Sequence, residues 1–198
     1  MGPVGVLALQ GGVAEHERML GELGVGTVRV RTPEQLDEVA ALVLPGGEST
    51  TLISLMEKWG LVEPLRSKGQ SGLPILGTCA GAVLLSTRVS EAEHSVVQES
   101  LGLADVQAIR NRFGRQTRSF LTELIIKGLD GPYPGLFIRA PLLHPLSDEV
   151  EVLSSIQEGA VLLRQGNIWL SSFHPELTSD NRIHRMFLWS SGLLRTEE

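Results

Sequence analysis

The stretch LPILGTCAG, residues 73–81, holds the only cysteine in a chain of 198 residues. The apolar run before Gly77 is typical of a strand, and AGAVLLS at 80–86 predicts a helix that begins just after Cys79. A strand that turns at once into a helix holds the residue between them in a sharp, exposed elbow, as in the G-x-S-x-G arrangement. Gly77 and Gly81 supply the two glycines, because such a turn brings backbone segments close together. The stretch therefore predicts an α/β fold with a thiol at an exposed elbow.

The residues before this stretch alternate between strand and helix patterns. VGVLAL at 4–9 and AALVLP at 40–45 are continuous apolar runs, which suit strands buried on both faces of a parallel sheet. Residues 13–24 predict an amphipathic helix that ends at a glycine, and TVRVR at 27–31 alternates like a strand. This order fits the start of a doubly wound sheet.

A helix is also predicted over residues 51–60, with Ser49 and Thr50 as good N-cap residues. The last stretch, 181–194, has apolar residues at helical spacing and predicts a helix that packs back on the sheet. Between these helices, short strand-like segments at close spacing favour added or antiparallel strands. These segments are VQAI, SFLTELIIKG, GLFIRA, EVEVLSS, GAVLLRQG and NIWLSSF. We therefore expect a single domain over residues 1–198, a three-layer α/β fold with a mostly parallel, doubly wound sheet, helices on both faces and added antiparallel strands.

Composition and charge restrict the possible classes of protein. Hydrophobic residues make up 42% and charged residues 20% of the chain, a balance that predicts an ordinary globular fold. The net charge of −6 offers no basic surface for a phosphate backbone, so we expect no nucleic-acid partner. The N-terminus lacks a basic n-region and no apolar run approaches the roughly 20 residues of a membrane span, so we expect a cytoplasmic protein with no membrane partner. One cysteine cannot form an internal disulfide or a multi-cysteine zinc site, and we expect neither a metal nor a cofactor.

Cys79 has two interpretations when it is considered alone. The dipole and free amide hydrogens of a helix N-terminus favour a nucleophilic thiolate, whereas a lone cysteine is often a buried small hydrophobe. The motif SSFHPEL at 171–177 favours the nucleophile, because His174 can take the thiol proton and Glu176 can orient the imidazole. Pro175 stiffens the turn between them. The other histidines have no comparable setting and are expected to be ordinary surface or core residues: 16, 94, 144 and 184.

The motif LPGGEST at 44–50 follows an apolar run and places two glycines before a helix. Gly47 could offer a backbone N–H to an oxyanion, opposite the N–H of Ala80. The loop is not a P-loop, since the lysine of G-x-x-x-x-G-K-[ST] is missing. The plain interpretation is a strand-to-helix turn with a cap, which the loop would be with or without this role.

Six motifs together resemble the glutaminase subunit of pyridoxal 5'-phosphate synthase, a class I glutamine amidotransferase: LALQG, LPGGEST, GTCAG, RNRFGRQ, FIRAP and SFHPELT. They occur in the family's order between residues 7 and 178. G-x-C-x-G and H-P-E alone would indicate only the wider amidotransferase class, whereas RNRFGRQ and FIRAP with LPGGEST narrow the resemblance to this subunit. The resemblance implies the flavodoxin-like fold of class I amidotransferases.

The resemblance also implies an activity, which is hydrolysis of L-glutamine to glutamate and ammonia through a γ-glutamyl thioester. Cys79 would be the nucleophile, His174 the acid and base, and Glu176 the carboxylate that orients His174. An arginine suits the α-carboxylate of glutamine, and a glutamate suits its α-ammonium group. The residues that match the family's substrate contacts are Gly47, Glu48, Ser49, Arg110, Ile138 and Arg139.

A synthase subunit is the partner that the resemblance implies, as an oligomeric ring with one glutaminase docked per synthase subunit. It would receive the ammonia and build the coenzyme, which this chain would not make itself. In such pairs the glutaminase is poorly active alone, because an oxyanion peptide near the LQGG turn reaches its working geometry only when the synthase docks. Gln10 and Gly11 mark that turn, and the following helix, with Glu15 and His16, would face the synthase.

The chain departs from the family's pattern at two places. Gly12 stands where the family usually has alanine, and we expect it to add backbone freedom beside the proposed switch. Residues 86–100 match none of the motifs and are expected to form a surface loop. Arg112 and Arg115 are expected to lie in a solvated loop.

Three alternatives stay open at this point. The chain could be another amidotransferase glutaminase, such as the one that serves histidine biosynthesis, although RNRFGRQ and FIRAP weigh against this. It could be a class I-like cysteine hydrolase or chaperone, where a histidine commonly follows the cysteine in the place that Ala80 occupies here. It could also be a regulatory α/β module in which Cys79 is merely buried.

Overall fold

The computed structural model of the chain describes residues 2–91, 98–110 and 119–194. Within these residues, one large sheet is covered by helices on both faces. Its strands, and those of a small second sheet, are β1 (Val4–Leu7), β2 (Thr27–Val30), β3 (Ala41–Leu44), β4 (Ile75–Thr78), β5 (Ser86–Glu91), β6 (Ala104–Arg110), β7 (Phe120–Leu124), β8 (Tyr133–Phe137), β9 (Leu142–Pro145), β10 (Glu151–Ile156), β11 (Gly159–Gln165) and β12 (Ile168–Ser171). The helices are α1 (Val13–Glu22), α2 (Pro33–Asp37), α3 (Ser49–Lys58), α4 (Val62–Gln70), α5 (Ala80–Leu85) and α6 (Arg182–Ser190), and a 3-10 turn spans Pro175–Leu177.

One half of the large sheet is parallel, in the order β2-β1-β3-β4-β12. Strands β1, β3, β4 and β12 are buried along their whole length, as continuous apolar runs predict for strands covered on both faces. Strand β12 comes late in the chain yet lies directly beside β4, with Ser171 paired to Thr78. This pairing brings the residues that follow β12 to the elbow that follows β4.

The other half of the sheet continues as β12-β11-β9-β6 through antiparallel pairs, with β10 antiparallel to β11. Strand β5 closes this edge and runs parallel to β6. Strands β7 and β8 form a separate antiparallel pair. The prediction of added antiparallel strands in the second half of the chain is therefore confirmed, except that the NIWLSSF segment forms β12, which also pairs parallel with β4.

Alternate side chains of the central strands supply two hydrophobic clusters, one on each face of the sheet. In β3, Leu42 and Leu44 pack among residues of α2, α3, α4 and α5, whereas Ala41 and Val43 pack among residues of α1, α6 and the β7–β8 pair. Phe187 of α6 is fully buried in the second cluster, so the last helix packs on the sheet as predicted. The three-layer architecture of the prediction is confirmed.

Several local features differ from the prediction. Strand β5 lies where a surface loop was expected; its residues are polar because it is the edge strand and only partly covered. The expected loop residues 92–97 lie outside the described residues.

Helices α2 and α4 were not predicted, and α4 has a weak helical signal with Pro64 in its first turn. Helix α3 begins at Ser49 after Glu48, so Ser49 and Thr50 are not its N-cap residues. Ser49 instead donates its hydroxyl hydrogen to Gln98.

In residues 2–91, 98–110 and 119–194, every helix falls short of the length and apolar character that crossing a bilayer requires.

Candidate active site

Cys79 lies in the elbow between β4 and α5, as the sequence predicts. Its backbone has φ 49° and ψ −104°, in a region that residues with a side chain rarely adopt. Such a conformation costs about 1–3 kcal/mol and persists where the surrounding structure holds it. Here the N–H of Cys79 donates to the carbonyl of Ser171 over 2.7 Å, which ties the elbow to the end of β12.

The glycines on either side of Cys79 have no room for a side chain. A Cβ on Gly81 would lie 2.1 Å from the carbonyl oxygen of Leu44, and one on Gly77 would lie 2.6 Å from the carbonyl carbon of Gly81. Both contacts are with backbone atoms, which cannot move aside as the end of a flexible side chain can. The small residues around the thiol are therefore explained by close backbone packing at the elbow.

His174 and Glu176 follow β12 and reach the same elbow. The N–H of His174 donates to the carbonyl of Leu136 over 2.8 Å, and Pro175 begins the 3-10 turn that carries Glu176. Nδ1 of His174 lies 2.7 Å from Oε1 of Glu176. The carboxylate is 1% exposed and acts as acceptor, so Nδ1 carries the proton of this hydrogen bond.

The electrostatic environment favours a charged pair. Burial lowers the pKa of His174, but the contacts with Cys79 and Glu176 outweigh burial and raise it to about 10. Burial raises the pKa of Glu176, but His16 and His174 outweigh burial and lower it. At neutral pH the site therefore holds an imidazolium between a carboxylate and the sulfur of Cys79.

A cavity of about 160 Å³ opens at Cys79. It is lined by Gly47, Glu48, Ser49, Cys79, Ala80, Val83, Arg110, Ile138, Arg139, Pro141 and His174. All six residues expected to contact substrate are in this set, although they come from three distant parts of the sequence. Glu176 lies behind His174 and is not part of the lining.

Arg110 and Glu48 place opposite charges in this cavity. Nη2 of Arg110 lies 2.8 Å from Oε1 of Glu48, and Nη1 lies 2.7 Å from Oε1 of Gln98. The Arg110 side chain is 15% exposed and that of Glu48 is 46% exposed, so the carboxylate faces the solvent side. Arg112 and Arg115, expected in a solvated loop, lie outside the described residues.

Ile138 and Arg139 form the opposite wall. The carbonyl oxygen of Ile138 lies 3.9 Å from Sγ of Cys79. Arg139 has φ 45°, a left-handed conformation that is unusual for a residue with a long side chain. Two strained residues, Cys79 and Arg139, therefore line the same cavity, as is common at functional sites.

Gln10 and Gly11 pack against the loop that contains Gly46 and Gly47, and neither lines the cavity. Oε1 of Gln10 accepts a hydrogen bond from the N–H of Glu48 over 3.4 Å. Gly11 has φ 94°, and a Cβ there would lie 1.8 Å from the carbonyl oxygen of Gly46. The turn is thus in direct contact with the loop beside the thiol.

His16 does not face solvent, and the expectation that it would face a synthase is wrong for this residue. It is fully buried, with Nδ1 2.9 Å from Nε2 of His184 and Nε2 3.5 Å from Oε2 of Glu176. The sequence contained a signal for this burial, since His16 lies three residues after Val13 and four before Leu20 on the apolar face of α1. Neighbouring Glu15 is only partly buried.

Metal ligation has no support in the described part of the chain. Residues 2–91, 98–110 and 119–194 contain no group of three or more His, Cys, Asp and Glu side chains that could hold a metal ion.

The class of protein to which the chain belongs follows from its similarity to solved structures. A crystal structure of a glutamine amidotransferase superposes with a TM-score of 0.89 and 44% identity, covering 96% of this chain and 100% of that one. A glutamine amidotransferase structure from Thermotoga maritima, with 13% identity and a TM-score of 0.58, shares the fold over 96% of this chain and 94% of its own. The fold and the first of these similarities define a glutamine amidotransferase, and the expected fold class is confirmed.

The family follows from more specific matches. A family model described as the SNO glutamine amidotransferase family matches residues 6–191. Pyridoxal 5'-phosphate synthase subunit PdxT of Ignicoccus hospitalis is 52% identical over 192 residues, which cover 93% of this chain and 97% of that protein. The protein of the same name from Herpetosiphon aurantiacus is 48% identical, with 93% of this chain and 98% of that protein covered. The chain belongs to the SNO glutamine amidotransferase family, and the resemblance stated from its motifs is confirmed.

Proposed function

We propose that this chain hydrolyses L-glutamine to L-glutamate and ammonia with Cys79, His174 and Glu176, and supplies the ammonia to the synthase subunit of a pyridoxal 5'-phosphate synthase. The observation that carries the proposal is the strained Cys79 elbow beside a histidine that is hydrogen-bonded to a buried glutamate, at the base of a cavity with paired charges. The names of the relatives from Ignicoccus and Herpetosiphon support the acceptor reaction.

The first half-reaction forms a covalent intermediate. The Cys79 thiolate attacks the side-chain carbonyl carbon of glutamine, and the electron pair of the C=O bond moves to oxygen. When this tetrahedral intermediate collapses, the C–N bond breaks and protonated His174 gives its proton to the leaving nitrogen. Ammonia leaves, and a γ-glutamyl thioester remains on Cys79.

The second half-reaction restores the enzyme. His174, now neutral, takes a proton from a water molecule whose oxygen attacks the thioester carbon. The C–S bond then breaks, glutamate is released, and the Cys79 thiolate faces a protonated His174 again. Glu176 stays ionised throughout and keeps Nδ1 of His174 protonated, so that the other ring nitrogen faces the reaction.

The oxyanion of each tetrahedral intermediate needs backbone donors. We assign this role to the N–H groups of Gly47 and Ala80, both of which belong to residues that line the cavity at Cys79. Ala80 is the first residue of α5, so its N–H is free of intrahelical bonds. Gln10 and Gly11 contact the Gly46–Gly47 loop and would set the orientation of its peptide groups.

Glutamine recognition uses the charges at the far side of the cavity. The α-carboxylate pairs with Arg110 and the α-ammonium group pairs with Glu48, so the two charges of the amino acid match the existing ion pair. The Ser49 hydroxyl and the backbone at Ile138 and Arg139 complete the wall that positions the side-chain amide over Sγ.

The synthase subunit is the proposed partner, with one glutaminase docked per subunit of an oligomeric ring. The exposed face of α1, which begins next to the Gly11 turn, is the surface proposed to dock. A reduced thiol is required for the chemistry, so we place the single-domain protein in the cytoplasm.

The experiment is glutamate release from L-glutamine by the purified chain, alone and with a synthase subunit. The expected result is turnover that rises with the synthase and disappears in Cys79→Ala, with Cys79→Ser as a near-isosteric second variant. Unfolding curves of both variants check that the fold is intact. Equal turnover with and without the synthase would overturn the partner, and unchanged turnover in Cys79→Ala would overturn the nucleophile.

A further inference from the structure

Two buried histidines stand behind the catalytic residues and take no part in the mechanism above. His16 on α1 and His184 on α6 are both fully buried, and their rings meet edge to face with centroids 5.2 Å apart. Burial of a histidine requires hydrogen-bond partners for its ring nitrogens. The partners of His16 lead directly to Glu176.

Three contacts fix the His16 ring. Nδ1 lies 2.9 Å from Nε2 of His184, and Nε2 lies 3.3 Å from the hydroxyl oxygen of Thr78. The same Nε2 lies 3.5 Å from Oε2 of Glu176, the carboxylate oxygen that His174 does not use. Among the described residues, Oε2 of Glu176 is buried without a hydrogen-bond partner, and its contact with Nε2 of His16 is longer than the 2.7 Å between Oε1 and His174.

These contacts select one arrangement of protons. If Nε2 of His16 carries the proton, the two oxygens within 3.5 Å of that nitrogen, the Thr78 hydroxyl and the ionised Oε2 of Glu176, can both attract it, and Nδ1 accepts the proton of Nε2 of His184. Nδ1 of His184, which has no partner in the described residues, is then a bare acceptor. The opposite arrangement would aim a lone pair of His16 at the carboxylate and bury an unpaired N–H of His184, which is costlier.

The charge state of the two rings agrees with this arrangement. Burial lowers the pKa of His16, more than the nearby carboxylate of Glu176 raises it. Burial and His16 lower the pKa of His184, to about 3. Both rings are therefore neutral at physiological pH, each with one N–H to give.

We propose that His16 is a positioning residue that directs its Nε2–H to Oε2 of Glu176, and that His184 orients His16 for this role. Glu176 is then held from two sides, by His174 through Oε1 and by His16 through Oε2. A fixed carboxylate keeps the His174 ring in place for proton transfer. The proposal rests on the proposed function, since it extends the Cys79–His174–Glu176 triad by two residues.

Arg18, also on α1, reinforces the same connection. Its Nη2 donates to the backbone carbonyls of Glu176 and Thr178, each over 3.1 Å. Helix α1 thus contacts both the backbone and the side chain of the catalytic glutamate. Helix α1, which follows the Gln10–Gly11 turn, is therefore in contact with Glu176 through the side chains of His16 and Arg18.

The test compares His16→Leu with His16→Gln by steady-state glutaminase kinetics in the presence of a synthase subunit. Leucine removes the N–H, whereas the glutamine amide nitrogen can occupy the position of Nε2. For His16→Leu we expect kcat to fall by about tenfold or more, a fraction of the 10²–10⁴ that acid–base catalysis contributes. KM should change little, because His16 does not line the cavity. His16→Gln should recover most of kcat.

Met19→Ala is the matched structural control, because Met19 is fully buried on the same helix and does not line the cavity. Rates are normalised to the folded fraction from circular dichroism. The proposal is overturned if His16→Leu keeps full kcat, if His16→Gln is no better than His16→Leu, or if Met19→Ala loses as much kcat per folded molecule. If the proposed function itself is wrong, the unsubstituted protein will show no glutamine turnover that depends on Cys79. This outcome is distinguishable from failure of the His16 proposal, in which the unsubstituted protein is active.

A measurement on the unsubstituted protein decides the matter if the variants do not fold. Nitrogen-15 NMR of the histidine rings at neutral pH should show His16 neutral, with the proton on Nε2. A proton on Nδ1, or a charged His16 ring, would overturn the proposal.

Discussion

Gly46 is the residue at which the structure makes its sharpest prediction for catalysis. A Cβ at this position would lie 2.6 Å from Cε1 of His174 and 3.3 Å from Cβ of Cys79. Ordinary contact between carbon atoms begins near 3.5 Å, so an alanine would push the imidazole away by about 0.9 Å. A displacement of about 1 Å in a catalytic group can cost about 100-fold in rate.

We therefore expect Gly46→Ala to lower kcat by about two orders of magnitude while the protein still folds. The stability loss should stay at about 1–3 kcal/mol, the usual cost of adding a methyl group to a packed site. Glutamate release with the synthase gives kcat, and urea unfolding gives the stability.

Gly12→Ala is the matched control, since the resemblance expects alanine there. Its Cβ would lie 3.4 Å from Cγ and Oε1 of Glu176, which is ordinary contact. This variant should keep kcat within about twofold, because no catalytic atom has to move. If Gly46→Ala retains full kcat, the close packing of this loop against His174 is not part of the working enzyme.

Three further predictions concern strain, substrate charge and pH. Cys79→Gly should abolish turnover yet raise the free energy of unfolding by about 1 kcal/mol, because glycine tolerates φ 49° without strain. A lower free energy of unfolding, measured in urea, would contradict this. Arg110→Met should raise KM for glutamine at least about tenfold through loss of the carboxylate contact, with kcat less affected; Michaelis–Menten kinetics with a normal KM would rule out that contact. Because the folded-state pKa of His174 is raised from 6.5 to about 10, its protonation stabilises the fold fully below pH 6.5, and this contribution is lost as pH rises towards 10. His174→Asn should flatten that part of the stability curve, and an unchanged curve would argue against the raised pKa.

The elbow was predictable from sequence because its determinants are local. A strand, a cysteine between glycines and a helix lie within about a dozen consecutive residues, and the backbone contacts at Gly77 and Gly81 explain the pattern. The parallel strands were predictable for a similar reason, since β1, β3 and β4 are continuous apolar runs.

The arrangement of distant segments was not predictable from pattern alone. Pairing of β12 with β4 brings His174 to Cys79, and nothing in either strand specifies the other as its neighbour. The partners of His16 were not predictable, because this polar residue on an apolar helix face gains Glu176 and His184 only from the far end of the chain. The polar edge strand β5 was missed because an edge strand needs no continuous apolar run.

Rapid acid quench of the enzyme with glutamine and the synthase, followed by mass spectrometry of its peptides, tests whether Cys79 is the nucleophile. We expect a γ-glutamyl group on the peptide that contains Cys79, formed within a single turnover and absent from Cys79→Ala. Release of glutamate without this adduct, or an adduct on another residue, would contradict the assignment of Cys79 as the nucleophile.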